Sequence, residues 1–446
     1  MDIVESRQAD SLILRPIGRI DSLTSAEFQA RLLAAVSSGA AVCVVDVSEV
    51  EFISTAGLRA LFQAARTKGK EQRLAVACPN EVVREIFRIA RFSLVFPIFA
   101  TVEDAVAGRA AQSGASEPHE TAGSPESVVV RFWGTRGSLP APLGERAVRA
   151  KLRRALLAAR GHTLETPEAV DAFIDRALPF SVRGTFGGNT SCVEIVTGGD
   201  EYLLCDLGTG LREFGNRVIA EPAAGRKHCF NIFQSHPHWD HIMGFPFFAP
   251  AYIPGNRIRI FGCHDVLREA LEKQQSDPCF PVDFHALSAA IEFVRLDPGQ
   301  TVEVAGFSVT PLNQFHAGDS YGYRFSRGAK TIVYSTDCEH KYLALDDSYP
   351  FVEFYRNADL LIFDAMYSLA DMISVKEDWG HSSNIVAVEL AQAAKVKRLV
   401  LFHHEPAYDD ARIESVLSDT IRFEELSRRG HKVEVISAYD GLELTI

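Results

Sequence analysis

Six residues near the middle of the chain, His236-Pro237-His238-Trp239-Asp240-His241, offer four side chains that bind metal ions. The apolar run 230–233 precedes them and predicts a buried strand, while residues 243–246, Met-Gly-Phe-Pro, end regular structure. Imidazole nitrogens and a carboxylate oxygen suit zinc, with manganese or iron as alternatives. The spacing therefore predicts a metal site in a tight loop at a strand end.

Further candidate ligands each follow an apolar run that predicts a strand. His316 comes after residues 309–315, Asp337 after 332–335, and His403 after 399–402. One loop cannot complete the coordination of a metal, so these strand ends are expected to converge on the histidine run. A surface-loop histidine is the alternative for His316. His404 competes with His403, since strand alternation points neighbouring side chains to opposite faces.

Residues 128–446 carry these candidate ligands within a series of motifs whose order resembles that of the metallo-β-lactamase fold hydrolases. The resemblance is closest to the phosphodiesterase and tRNA-3′-processing branch. The resemblance implies an αββα sandwich. The motifs that carry it lie at residues 131–138, 187–192, 206–210, 236–241, 322–324, 335–337, 379–382 and 402–406.

The resemblance also implies a dinuclear centre. The first metal would be held by His236, His238 and His316, and the second by Asp240, His241 and His403, with Asp337 bridging both. Two ions about 3.5–4 Å apart share a hydroxide and clamp the attacking and leaving oxygens of a phosphate ester. Asp240 is expected to be a ligand with added character as a catalytic base, and the alternative is a base that does not itself bind metal, as in single-zinc relatives.

His381, in the context Gly380-His381-Ser382, matches the residue that acts as general acid in these relatives, and imidazole has a suitable intrinsic pKa. A helix-capping role is the alternative. By the same resemblance Asp364 would orient His381, whereas Asp206, at another strand end, would support the ligands. The turn 187–191 either offers backbone donors to a phosphate or is only a tight turn.

The first hundred residues alternate strand and helix patterns. Strands are predicted at 12–17, 42–47 and 74–77, and helices at 24–37, 56–67 and 81–90, which indicates a small α/β domain. Residues 18–21, 46–48 and 52–58 resemble the STAS domain of bacterial anti-sigma-factor antagonists. That likeness places Thr55 at the phospho-acceptor position, with Ser54 replacing the usual Asp.

Thr55 is predicted at a helix N-terminus, where free N–H groups and the helix dipole favour an anion. A phosphate would add about −1.5 to −2 charges there and repel an acidic partner surface. The alternative is that Thr55 or Ser54 is only an N-cap. The expected partner of this domain is an anti-sigma factor or a serine/threonine kinase.

The sequence divides into a STAS domain (1–108), a flexible linker (109–127) and a hydrolase domain (128–446). The linker lacks periodicity and large apolar residues. Residues 144–180 form a helical insertion that covers the active-site mouth, forms a homodimer contact or binds the STAS domain.

The bulk composition suits a cytoplasmic globular protein. The chain has 446 residues, 47% of them hydrophobic and 23% charged, and eight scattered cysteines that are expected to stay reduced. No apolar run is long enough for a membrane span, and the first residues lack a signal-peptide pattern. A net charge of −12 argues against general nucleic-acid binding, although residues 146–160 are locally basic.

These observations favour a STAS-regulated phosphodiesterase that acts on a cyclic nucleotide or related small phosphodiester through a metal-bridging hydroxide. A long basic arm for gripping tRNA is absent from the sequence. Two alternatives stay open. One is an anti-anti-sigma regulator whose metal domain is a sensor, and the other is a thioesterase or lactonase on the same fold.

Overall fold

The computed structural model describes residues 1–8, 11–38, 40–68, 72–92, 97–107, 127–220, 227–340, 349–369, 371, 376 and 378–446. The predicted linker, apart from residue 127, lies outside the described residues.

The N-terminal region contains strands and helices in the alternating order that the sequence predicted. The strands are β1 (Asp2–Gln8), β2 (Ser11–Ile20), β3 (Val42–Asp46), β4 (Val50–Ile53), β5 (Arg73–Ala77) and β6 (Ile98–Phe99). The helices are α1 (Ser25–Ser37), α2 (Thr55–Thr67), α3 (Glu81–Ile89) and α4 (Val102–Ala107).

These strands form one sheet in the order β1-β2-β3-β5-β6, with β4 paired to the end of β2. Only β1 pairs antiparallel in the described sheet, and the other pairings are parallel. Helices α1, α2 and α3 cover one face with an apolar core, and α4 covers the other. The prediction of a small α/β domain is confirmed.

The C-terminal region is larger. Its strands are β7 (Val129–Gly134), β8 (Cys192–Val196), β9 (Glu201–Cys205), β10 (Cys229–Phe233), β11 (Arg257–Gly262), β12 (Ala290–Arg295), β13 (Val302–Val304), β14 (Phe307–Gln314), β15 (Ser320–Arg327), β16 (Lys330–Ser335), β17 (Leu360–Asp364), β18 (Arg398–Phe402), β19 (Glu434–Ser437) and β20 (Glu443–Thr445). Its helices are α5 (Glu145–Ala158), α6 (Pro167–Ala177), α7 (Phe180–Arg183), α8 (Gly210–Ala220), α9 (Trp239–Ile242), α10 (Leu267–Gln274), α11 (Pro350–Tyr355), α12 (Asn384–Ala393) and α13 (Asp410–Ser427).

Two sheets face one another in this region. One runs β12-β11-β10-β9-β8-β7-β20 and the other β13-β14-β15-β16-β17-β18-β19. Alternation along a strand sends successive side chains to opposite faces. Thus Leu360 and Ile362 of β17 point into the core between the sheets, whereas Leu361 and Phe363 point outward towards α12. Helices lie outside both sheets, which confirms the predicted αββα sandwich.

The insertion predicted at 144–180 contains α5 and α6, and its contacts lead to α13. Lys151 pairs with Asp410 at 2.5 Å and donates to the carbonyls of Ser181 and Gly184. The Ser181 hydroxyl donates in turn to Glu414 of α13. The insertion is thereby held against the hydrolase domain itself.

Over the described ranges, each helix is too short or too polar to cross a bilayer.

Candidate metal centre

The predicted ligands stand where strands of the sandwich end. His236 and His238 follow β10, His316 follows β14, Asp337 follows β16, and His403 follows β18. The sequence predicted a loop for residues 236–241, and the structure adds that Asp240 and His241 lie in the single-turn helix α9. The parallel pairing of β16, β17 and β18 brings their ends to one edge.

Three residues of this edge have a backbone conformation that side chains disfavour. Asp206, Asp337 and His403 have φ angles of 61°, 46° and 59°. Such left-handed geometry costs about 1–3 kcal/mol at a residue other than glycine, and it persists where the surrounding structure enforces it. Each of these turns directs its side chain into the same cluster.

The donor atoms of the predicted ligands form two groups. The ring nitrogens of His236, His238 and His316 lie within 4.8 Å of one another, and Nδ1 of His238 is 3.0 Å from Nε2 of His316. The second group joins Asp240, His241 and His403. In it, one oxygen of Asp240 lies 3.2 Å from His241 Nε2 and 3.3 Å from His403 Nε2. His381 also lies within 4.8 Å of donors in two further sets, one with His316 and Asp337 and the other with Asp364 and His403.

Asp337 lies between the groups, with one oxygen towards each. Its Oδ1 is 3.2 Å from His241 Nε2 and 3.3 Å from His403 Nε2. Its Oδ2 is 3.6 Å from His236 Nε2 and 3.8 Å from His316 Nε2. A carboxylate that presents its two oxygens to two separate donor sets has the arrangement of a bridging ligand.

Burial and charge leave three donors, His236, Asp240 and Asp337, in states that suit cations. Burial lowers the pKa of His236 well below its usual range, and nearby imidazoles lower it further. Burial alone would raise the pKa of Asp240, but His241 and His403 outweigh it and hold that pKa far below normal. Asp337 behaves in the same way. Neutral imidazoles and ionised carboxylates are the forms that bind metals. For His241, burial is outweighed by Asp337, Asp240 and Asp206, which raise its pKa well above the usual value, so a metal must displace a proton there.

A buried nitrogen without a partner supports the same interpretation. Nε2 of His236 is completely buried and has no hydrogen-bond partner among the described residues. Leaving a buried polar atom unpaired costs about 1–3 kcal/mol. A divalent cation between His236, His238 and His316 would satisfy this atom, so the donor set fits divalent metal ions.

Supporting contacts orient the rings. Nδ1 of His241 donates to Asp206 at 2.7 Å, which leaves Nε2 free to face the cluster. Asp206 also accepts from the Tyr334 hydroxyl at 2.6 Å and from the hydroxyl and N–H of Ser235. Nδ1 of His316 donates to the carbonyl of Gly380 at 2.9 Å. These partners select the tautomer whose other nitrogen can bind a metal.

A glycine permits the close packing of His403. A β-carbon placed at Gly137 would lie 2.5 Å from Nδ1 and Cε1 of that ring. The neighbouring N–H of Ser138 donates to Asp240 at 2.8 Å. The loop after β7 therefore helps to shape the second donor group.

His381 lies beside the cluster and pairs with Asp364. Its Nδ1 is 2.8 Å from Asp364 Oδ2 and 3.9 Å from Asp337 Oδ2. Burial favours the neutral ring, but Asp364 and Asp337 outweigh it and raise the pKa of His381 to about 9. Asp364 is thus the partner that favours the protonated form of this ring.

The structure also decides between two histidines. His404 turns away from the cluster, and its Nε2 donates to the carbonyl of Ala438 at 2.8 Å. Burial lowers the pKa of His404 to about 3. Of this pair, His403 is the residue that the fold brings to the other ligands.

Asp440 is a structural residue of the site that the sequence did not reveal. It accepts from the N–H groups of Gly188 and Asn189 at 3.0 and 2.9 Å, and from the Thr135 hydroxyl. The turn 187–191 therefore uses these donors within the fold. Burial raises the pKa of Asp440 to about 6. The available sequence signal was an Asp-Gly pair shortly after a strand.

Comparisons with known proteins concern the family and fold of the two domains. The chain matches the profile of the β-lactamase superfamily domain at residues 201–404 and that of the STAS domain at residues 2–105. A Ribonuclease Z of Thermoplasma acidophilum is 28% identical over 270 residues, which cover 50% of this chain and 83% of that protein.

Two further similarities concern the N-terminal domain and the fold. The anti-sigma-F factor antagonist RsfB of Mycobacterium tuberculosis is 28% identical over 91 residues, 20% of this chain and 75% of that protein. The solved metallo-β-lactamase fold protein YhfI of Bacillus subtilis is 18% identical with a TM-score of 0.46, over 72% of this chain and 99% of that one. The profile matches confirm both sequence resemblances. The chain thus joins an N-terminal STAS domain to a metallo-β-lactamase fold hydrolase domain of the β-lactamase superfamily.

Proposed function

We propose that the C-terminal domain is a dinuclear metal-dependent phosphodiesterase. The observation that carries this proposal is the position of Asp337, whose two oxygens face two separate donor groups. Two bound divalent ions, zinc or alternatively manganese or iron, would supply a water of lowered pKa and neutralise charge on the phosphoryl oxygens.

The residues of the chain divide the remaining work. His381, kept protonated by Asp364, donates a proton to the leaving oxygen, which would otherwise depart as an unstable alkoxide. Asp240 accepts the Ser138 N–H and presents an ionised oxygen to the second group, so it serves as a ligand. Asp206 keeps His241 in the tautomer that a metal requires.

Aromatic side chains beside the centre support a substrate with a planar base. Trp239, Phe315 and Trp379 are each more than half exposed, and each lies within two residues of His238, His316 or His381. A nucleobase stacked on an exposed aromatic ring gains about 1–3 kcal/mol. We therefore favour a cyclic nucleotide or a related small nucleotide diester. The named Ribonuclease Z relative supports phosphodiester chemistry in general.

We also propose that the STAS domain regulates the hydrolase, with Thr55 as phospho-acceptor and an anti-sigma factor or kinase as outside partner. The named antagonist relative supports this role. Thr55 begins α2, and the Ser54 side chain caps that helix. The hydroxyl that would receive phosphate is at a helix N-terminus, where an anion is favoured, but it is buried against Glu389, so this turn must first be exposed before a kinase can reach it.

Hydrolysis of bis-p-nitrophenyl phosphate, with metal content measured in parallel, tests the enzyme. We expect about two metals per chain and turnover, with Asp337→Ala losing both. His285→Ala, at a side chain 72% exposed, is the control and should match the parent. Metal binding without phosphodiester turnover, together with cleavage of a thioester or lactone, would contradict the proposal.

The role of His381 is tested by varying the leaving group. p-Nitrophenolate leaves readily without a proton, whereas an alkoxide needs one. His381→Ala should therefore lower kcat for an alkyl diester such as a cyclic nucleotide by about 10²–10⁴-fold. The same variant should lose much less with the p-nitrophenyl ester. Equal losses on both esters would assign His381 to the metal site instead.

A further inference from the structure

The STAS domain of this chain buries its Thr55 turn against its own hydrolase domain. Thr55 is completely buried, and its N–H donates to Glu389 Oε1 of α12 at 2.9 Å. Its hydroxyl donates to the other oxygen of the same carboxylate. Both polar groups at the start of α2 are therefore occupied from within the chain.

Apolar packing surrounds this contact. One continuous core contains Leu58, Leu61 and Phe87 of the STAS domain together with Val386 and Leu390 of α12. Phe52 lies 6.2 Å from Phe423 of α13, measured between ring centroids. A shared core of this kind is typical of domains that stay docked rather than of two independent bodies.

Charged pairs complete the interdomain surface, by which we mean the contact of α2, α3 and the end of β2 with α12 and α13. Arg88 of α3 pairs with Asp419 of α13 at 2.8 Å. Asp21, after β2, pairs with Arg429, after α13. Glu389 is the only charged residue of α12, a helix otherwise made of apolar and amide side chains. A lone buried carboxylate is costly unless it is hydrogen-bonded, and Thr55 provides those bonds.

The same surface reaches towards the metal centre. Arg59 of α2 donates to the main-chain carbonyl of His340 at 2.8 Å. The N–H of His340 donates to the Ser382 hydroxyl, and that hydroxyl donates to the carbonyl of Cys338 at 2.6 Å. Ser382 directly follows His381, and the His340 ring stacks on Phe363, which precedes Asp364.

We infer that the Thr55 turn is an interaction surface for an apolar helix that carries one carboxylate, and that in this chain α12 is that partner. Docking braces the segment 381–384 and keeps His381 against Asp364, so Thr55 and Arg59 are positioning residues of the hydrolase. An outside partner of the Thr55 turn must displace Glu389, and a phosphate on Thr55 would face that carboxylate. This last consequence rests on the proposed function, whereas the docking does not.

Hydrogen exchange of the full-length chain tests the docking without any activity. Thr55→Glu places a second carboxylate against Glu389, so exchange in residues 55–58 and 384–393 should accelerate about tenfold or more. Thr67→Glu, at the exposed end of the same helix, is the matched control and should exchange like the parent. Unchanged exchange in Thr55→Glu would overturn the inference.

A charge exchange provides a second test in case Thr55→Glu does not fold. Asp419→Arg alone places two cations together and should accelerate exchange at the interdomain surface. Arg88 also pairs with Glu85 on its own helix, so Arg88→Glu is combined with Glu85→Gln; this restores an opposite pair with residue 419 and should recover protection. If this combined variant exchanges as fast as the single one, the two domains are not docked through this surface.

Enzyme kinetics test whether the Thr55 turn positions His381. Thr55→Glu should lower kcat about tenfold for an alkyl diester with little change in KM, since a misplaced proton donor affects departure of the leaving group. The p-nitrophenyl ester should be affected less. If Thr55→Glu accelerates exchange but has the kinetic constants of the parent, the docking is supported and the positioning role of Thr55 is wrong. An inactive parent would contradict the proposed function alone, because exchange still reports the docking.

Discussion

The buried carboxylate of Glu389 predicts a pH-dependent stability that one substitution removes. Burial raises the pKa of Glu389 from 4.5 to about 7, although the two bonds from Thr55 and the charge of Arg59 oppose this rise and Asp21 adds to it. Arg19 and Arg429 line a cavity of about 220 Å³ next to the same side chain. The carboxyl therefore binds a proton in the folded chain at a pH where the unfolded chain has released it.

The sign of the effect follows from this difference. Between pH 4.5 and about 7 the folded state binds more protons than the unfolded state, so the free energy of unfolding falls as pH rises through that window. Each pKa unit is worth about 1.4 kcal/mol, which makes the total loss about 3 kcal/mol. Below pH 4.5 the protonated Glu389 makes its full contribution to stability, and above about pH 7 that contribution is lost.

Glu389→Gln keeps an acceptor for the Thr55 hydroxyl but cannot ionise. The stability of the parent relative to this variant should therefore fall by about 3 kcal/mol between pH 4.5 and pH 8. Equilibrium denaturation of both full-length proteins across this range measures the difference. Glu425→Gln, at a side chain 48% exposed, is the control, and its free energy of unfolding should change with pH as the parent's does. If the free energy of unfolding of Glu389→Gln changes with pH as the parent's does, the reasoning is refuted.

Three further predictions concern the metal centre. Asp206→Asn should weaken metal binding about 10–100-fold, because His241 loses its ionised partner; titration calorimetry measures this, and unchanged affinity would contradict it. Gly137→Ala should lower occupancy of the second donor group, since the added carbon would lie 2.5 Å from the His403 ring; metal analysis should show about one ion per chain, and two would argue against it. Trp239→Ala should raise KM about fivefold or more for a nucleotide diester but not for dimethyl phosphate. Equal changes for both substrates would exclude base stacking at Trp239, which is 66% exposed.

Much of the fold could be predicted from local pattern. Helices α1, α2 and α3 begin and end within two residues of their predicted limits, because capping residues and apolar periodicity are encoded locally. The seven ligand candidates were recognisable since each follows an apolar strand, and the fold brings all of them together. Their roles as ligands stay predictions that the metal measurements above address.

Other features could not be found in this way. The ligand loops could be predicted because each follows a strand. The role of Asp440 could not, because the turn whose N–H groups it accepts lies some 250 residues earlier in the chain. Similarly, Thr55 and Glu389 are 334 residues apart, and nothing in the periodicity of either helix pairs them. The sequence does show a single carboxylate, Glu389, within the apolar run 385–391. This indicates that Glu389 needs a hydrogen-bond donor, but it does not identify the residue that donates.

The sequence by itself identified the candidate metal ligands of this protein, because ligand type, ligand spacing and strand-end position are all local properties. It also determined the two kinds of domain, through motifs that each span a few residues. Only the tertiary structure decided that Asp337 faces both donor groups, that His403 rather than His404 joins them, and that Thr55 is buried against Glu389. Those outcomes depend on sheet closure and domain packing, where residues far apart in the chain satisfy one another's charge and hydrogen-bonding needs.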